Sequence, residues 1–381
     1  MIRVDVRPRM LRWARERAGH STDALLGRFP KLVDWEEGKL QPTLRQLEQF
    51  ARSTHVPVGF LFLPDPPEES VPIPDFRRVA GAGDLSPSPN LLDTIYLCQQ
   101  RQEWFRDFAR STGENPLGFV GSVEAGDDVV EVARRMRRAL EFEMEERRQI
   151  PTWTEALRRF IGRAEEVGVL VMCSGVVGNN TRRALDPDEF RGFALADDLA
   201  PLVFINGADT KAAQMFTLAH ELAHVWLGQS ALTDSEAGQI PNRTLELWCN
   251  RVAAELLVPL TLVQEEHDPS RPLEEETQRL ARRFKVSSLV ILRRIHDAGG
   301  ITRQEFGAAY ESELERLREL PRGGGGNFYL TQAARTSRRF TRALVISTME
   351  GRTLHRDAFR LLGFKKLSTF QELGRTLGVA V

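Results

Sequence analysis

Residues 201–228 read PLVFINGADTKAAQMFTLAHELAHVWLG. The apolar piece Pro201–Ile205 has the length and composition of a buried strand. Asp209 or Thr210 can then cap a helix that carries Phe216, Leu218, Leu222 and Trp226 and stops at Gly228. On that helix His220 and His224 stand four apart, within roughly 40° of one face, so both imidazoles reach one metal ion. Glu221, one position round, is placed for water instead of metal. Zinc lowers the pKa of its water from about 16 toward about 7, and a carboxylate can take the proton as the water attacks a carbonyl. The bland alternative is a structural histidine pair on a surface helix.

A catalytic zinc takes three protein ligands and keeps one position open. A further histidine six residues on, following a glycine, is absent, because Leu227 and Ser230 stand in those places. The third ligand is therefore expected from the next helix, where Glu246-Leu-Trp-Cys-Asn250 offers a carboxylate and, one turn later, an amide. Glu246 would complete the site, and Asn250 would accept the distal N–H of a ligand histidine and fix its tautomer. Glu255 is the competing carboxylate. It lies roughly on the opposite face, so one of the two belongs at the metal while the other is solvated or paired.

Outward from this stretch, Val169–Cys173 and Phe190–Leu195 read as further strands, with a helix over 154–167 before them. Helical spacing recurs at about 90–111, 126–146, 243–258, 273–284, 287–298 and 302–319. Residues 64–90 hold seven prolines and mark a boundary, and Gly323–Gly326 reads as a flexible joint. The fold class expected is α+β and mostly helical. An N-terminal helical domain (1–66) leads through a Pro-rich linker and helical region (67–150) to a metallopeptidase domain with a small sheet (151–270). A helical extension (271–322) and a basic C-terminal module (323–381) follow.

Composition bounds the function. Hydrophobic residues make up 41% and charged residues 28% of 381, the balance of a globular chain. A net charge of −1 predicts no global attraction to nucleic acid or membrane, so any such partner needs a local patch. No run of about 18 apolar residues exists. Three dispersed cysteines, Cys98, Cys173 and Cys249, supply neither a disulfide framework nor a Cys-rich finger, which fits reduced thiols and a cytoplasmic setting.

The stretch from Phe190 to Gly228, followed by ELWCNRVAAELLVP (246–259), resembles the ImmA/IrrE family of bacterial metallopeptidases. The likeness spans about residues 150–300. It implies a minimal zincin fold with His220, His224 and Glu246 as zinc ligands and Glu221 as general base. Trp248-Cys249 and Val252 stand where that family more often has an acidic residue followed by alanine, and phenylalanine, differences expected to alter packing alone. The resemblance further implies cleavage of a regulatory protein, a repressor or a toxin–antitoxin partner, in a stress or DNA-damage circuit.

Residues 9–63 resemble the five-helix Cro/C1-type (XRE-like) helix-turn-helix domain, with WARERAG, WEEGKLQPTLRQLEQFA and VPVGFLFLP as the matching pieces. The third helix of that fold enters the major groove, yet here it would carry Asp34, Glu36 and Glu37 against one lysine, which repels phosphate. Arg9, Arg12 and Arg15 form a basic row on the first helix, the candidate DNA contact of this region. Residues 327–381 hold ten Lys or Arg against three acids, an excess of +7. Arg335, Arg338, Arg339 and Arg342 at helical spacing are the candidate nucleic-acid or acidic-partner contacts there. The expected activity is that of a cytoplasmic zinc endopeptidase, with no membrane partner. The rival expectation is a helix-turn-helix regulator or antitoxin whose zincin core serves mainly to bind.

Overall fold

The computed structural model describes residues 3–75, 87–233, 244–319, 332 and 334–379. It divides into two units, Met1–Pro72 with Val79–Ile95, and Ile73–Arg78 with Tyr96–Val381.

In the first unit, helices α1 (Pro8–Arg17), α2 (Thr22–Leu26), α3 (Leu32–Glu36) and α4 (Leu44–Thr54) precede a 3-10 helix over Val58–Phe62. Their apolar faces meet in one core built on Met10, Leu11, Phe29, Trp35, Leu47 and Phe50. Local chemistry sets the ends. Thr43 and Gln46 form a reciprocal capping box at the start of α4, and His55 adopts the left-handed conformation that closes it.

Chain order then gives α5 (Pro89–Thr112), α6 (Val129–Ala139), α7 (Met144–Arg148) and α8 (Trp153–Glu166). The helical spacing expected across 126–146 is broken in two, because Glu141 takes a positive φ of 45° between α6 and α7. Three strands follow, β1 (Leu170–Ser174), β2 (Gly192–Leu195) and β3 (Leu202–Asn206), within one or two residues of the stretches marked by their apolar runs. Helix α9 (Lys211–Trp226) comes next, then a strand absent from the sequence reading, β4 (Ala231–Thr233). The sheet is mixed, in the order β1-β3-β2-β4. β1 is parallel to β3, and the other pairings are antiparallel. Every residue of β3 is buried, as an inner strand requires.

Helix α9 is mostly apolar and enclosed, its few polar side chains from Gln214 onward buried with the rest. Every residue from Gln214 to Trp226 is buried. The Thr210 hydroxyl accepts from the Ala213 N–H to start the helix, and Gly228 at φ 67° ends it. It packs on β2, β3, α8 and α10 (Thr244–Leu257).

Three arginines hold the C-terminal end of α10. Arg137 donates to the Glu255 and Leu256 carbonyls, Arg147 to that of Leu257 and Arg294 to that of Val258. They satisfy carbonyls that a helix end leaves open and place positive charge at the negative pole of the dipole. Helices α11 (Leu260–Glu266), α12 (Leu273–Phe284), α13 (Ser288–Asp297) and α14 (Arg303–Glu319) continue the second unit.

The last described elements are α15 (Arg338–Met349), α16 (His355–Leu362) and α17 (Leu367–Thr376). α15 packs against β1. Arg101 of α5 donates to the Leu361 carbonyl over 3.0 Å, and Asn179 donates to that of Leu362 over 2.9 Å. Ser337 caps α15 and also donates to Glu165 of α8. The glycine run 323–326 lies outside the described residues. The described residues are thus mostly helical with a small four-stranded mixed sheet, as the sequence leads one to expect. Among the described residues no helix is long and apolar enough to cross a membrane.

Candidate metal centre

Helix periodicity turns His220 and His224 to one side of α9, and the neighbouring α10 presents Glu246 to them. The His220 and His224 Nε2 atoms are 3.1 Å apart. Oε2 of Glu246 lies 3.2 Å from the first, and Oε1 lies 3.1 Å from the second. All three side chains are buried, and their ligand atoms lie within 4.8 Å of one another. Three ligand atoms on a tetrahedral zinc with bonds of about 2.0–2.1 Å would be separated by about 3.3 Å, close to the spacing found. The group is therefore of a kind and a shape that can hold a metal ion.

The surroundings set the charge of each member. Burial works against ionising Glu246, yet hydrogen bonds and charge from His220, then His224, outweigh it and hold this carboxyl well below its usual range. For His220, burial is likewise outweighed by Glu246, and its pKa is raised. Burial prevails at His224, which is lowered. Burial also pushes the Glu221 carboxyl up to about 8.

Glu221 sits between α9 and the strands. Its Oε1 accepts the Thr233 hydroxyl at the end of β4, and its buried Oε2 has no hydrogen-bond partner among the described residues. β2 runs close beside it. A Cβ placed on Gly192 would come to 2.6 Å from the Thr217 methyl and 3.0 Å from Glu221 Oε1, so only glycine leaves room for the carboxylate.

Asn250 lies beside His220 and helps to raise its pKa, while neither His220 Nδ1 nor Asn250 Oδ1 has a hydrogen-bond partner among the described residues. At His224 the neighbour of Nδ1 is the buried Cys249 thiol, 3.8 Å away. Cys249 was expected to affect packing alone, and its sulfur instead faces a ring nitrogen of the cluster. Burial pushes that thiol far above its ordinary value, so it stays protonated. Thr233 was not marked in the sequence and Cys249 was not marked as a site residue, since neither stands in the spacing that singled out the ligands.

Glu255, the competing carboxylate, is not brought to the cluster. It is buried in an ion pair with Arg294 and accepts from the Leu260 N–H, which explains its burial without a metal.

The basic candidates stand elsewhere. Arg9 pairs with Asp65 and donates to the Pro64 carbonyl. Arg15 pairs with Glu36 of α3 at 2.7 Å, so part of the expected basic row neutralises the acidic helix of its own unit. Arg12 is exposed. In the C-terminal segment Arg339 pairs with Glu114 and lies over the Phe105 ring, Arg335 is half-buried, and Arg338 and Arg342 are exposed.

Residues 164–296 match the peptidase-family model described as an IrrE N-terminal-like domain. The match supports a metallopeptidase of the IrrE/ImmA type. It takes in β1 to β4, the histidine pair, Glu221, Glu246 and Asn250. A second match, over residues 336–376, is to a domain of unknown function and covers α15 to α17. No curated protein matches the chain.

Proposed function

We propose that the chain is a zinc-dependent endopeptidase that cleaves a regulatory protein, of the repressor or antitoxin kind that the family resemblance implies. The observation that carries this reading is the placement of Glu221. Its carboxylate follows directly on a buried His-His-Glu cluster, anchored through Oε1 by Thr233 with Oε2 left over for a proton.

His220, His224 and Glu246 would hold the zinc, two neutral nitrogens and one carboxylate being the donor set of hydrolytic zinc sites that keep a position for water. When bound, the ion supplies a lowered water pKa and a polarised substrate carbonyl. Glu221 takes the proton from the attacking water at Oε2 and returns it to the leaving amine. Asn250 beside His220 and Cys249 beside His224 keep the two rings turned, so that Nε2 of each faces the cluster.

The test is direct. The full chain loaded with one equivalent of Zn²⁺ is incubated with candidate repressor and antitoxin proteins, and new peptide termini are read by mass spectrometry. Cleavage by the native chain and its loss in Glu221→Gln, with zinc content unchanged, is the expected result. Cleavage that persists in Glu221→Gln would overturn the mechanism.

A further inference from the structure

The chain covers one edge of its own sheet. β4 is the outermost strand next to Glu221. Its inner side pairs with β2, Phe193 opposite Leu232. Its outer side is taken by residues from the Pro-rich segment. Asp75 forms a parallel bridge with Leu232, and the Leu232 N–H donates to the Pro74 carbonyl over 2.9 Å. An exposed strand edge this near a hydrolytic carboxylate is where an extended peptide would add by main-chain hydrogen bonds.

Resting on the peptidase reading, we propose that Ile73–Asp75 is a self-inhibitory strap lying on the β4 edge, and that an extended segment of the protein substrate must displace it. The strap is built to be displaced. Its pairing is parallel and is an isolated bridge, the weaker kind of contact. Pro72 and Pro74 have no N–H of their own to add to this pairing. Pro74 is exposed, and Ile73 and Asp75 are only half-buried. An extended substrate segment with an N–H at every position would make more main-chain hydrogen bonds along this edge than a single bridge does. While the strap is seated, the apparent affinity for substrate falls by the fraction of time the edge is open.

The experiment uses the full zinc-loaded chain in a Glu221→Gln background, so that binding is read without hydrolysis. The probe is fluorescein-labelled casein, an unfolded protein. One variant loosens the strap (Ile73→Gly, Pro74→Gly, Asp75→Gly). A second tightens it (Pro72→Val, Pro74→Val) by restoring N–H donors and strand-forming side chains. Hydrogen exchange at the Leu232 amide reports whether the strap is seated. The loosened chain is expected to exchange that amide faster and to bind casein at least about tenfold more tightly, and the tightened chain to bind it more weakly. Equal affinity across the three chains, or an unchanged Leu232 amide in the loosened one, would overturn the proposal. Restoring Glu221 separates the two readings. Tight casein binding by the loosened chain, with no cleavage of any repressor or antitoxin candidate once Glu221 is restored, would sink the peptidase function and leave the strap standing.

Discussion

Thr233 donates its hydroxyl to Oε1 of Glu221 over 2.5 Å, tying the last residue of β4 to the carboxylate that follows His220. This bond divides the labour of the two carboxylate oxygens. Oε1 is spent on orientation, and Oε2 is kept for the proton. Removing the hydroxyl while keeping the shape, as in Thr233→Val, leaves a buried carboxylate with both oxygens unanchored. We expect kcat for peptide cleavage to fall by about 10- to 100-fold, with the zinc content unchanged, since positioning of a catalytic acid–base is worth that much. Steady-state kinetics beside metal analysis checks it. An unaltered kcat would mean that Thr233 only packs.

The His220–His224–Glu246 cluster should bind a metal strongly enough to stabilise the fold. At a hundredfold excess over its dissociation constant, Zn²⁺ is expected to add about 2.7 kcal/mol. Thermal unfolding with added zinc and with a chelator measures this. The increment should vanish in His220→Ala, His224→Ala and Glu246→Ala. It should survive in Glu255→Gln, because Glu255 is held by Arg294 away from the cluster. Loss of the increment in Glu255→Gln would move the ligand assignment to that residue.

These two sites show what a sequence can and cannot disclose. His220, Glu221 and His224 are legible because helix geometry alone aligns positions four apart. Glu246 and Asn250 repeat the same logic on α10. The strands β1, β2 and β3 announce themselves by uninterrupted apolar runs. β4 has only three residues, too few to set up a period, and Thr233 gains its meaning from a carboxylate twelve residues back that only the folded sheet brings near. Cys249 is of the same kind, a small apolar-seeming residue until α9 puts a ring nitrogen against it. The break at Glu141 was hidden because the apolar spacing continues across it. The arginines of α1 looked available for phosphate because their partners, Asp65 and Glu36, come from other segments.

Arg294 should prove structural. Its guanidinium answers the buried Glu255 carboxylate and also donates to the Val258 carbonyl just past α10. Arg294→Ala strands a buried charge, which costs about 3–5 kcal/mol. Urea unfolding should show that loss, and zinc stoichiometry measured on the folded fraction should stay at that of the native chain. Equal stability of the variant would show that water reaches Glu255.

Glu165 should make the attachment of the C-terminal helices sensitive to pH. It is buried between α8 and the start of α15, where it accepts from the Ser337 hydroxyl and the Arg339 N–H. Burial outweighs those hydrogen bonds and the Arg338 charge and pushes its pKa up to about 7. The folded chain therefore binds this proton more tightly than the unfolded chain, whose value is near 4.5. The contribution to stability is complete below the unfolded value and is lost as pH climbs through about 7, amounting to about 3 kcal/mol across the window. Melting temperatures of the native chain and of Glu165→Gln, compared from pH 4.5 to 8, should diverge. The native curve should fall relative to the variant as pH rises, because a neutral amide keeps the Ser337 hydrogen bond without a charge to desolvate. Parallel curves would show that Glu165 titrates alike in the folded and unfolded chains.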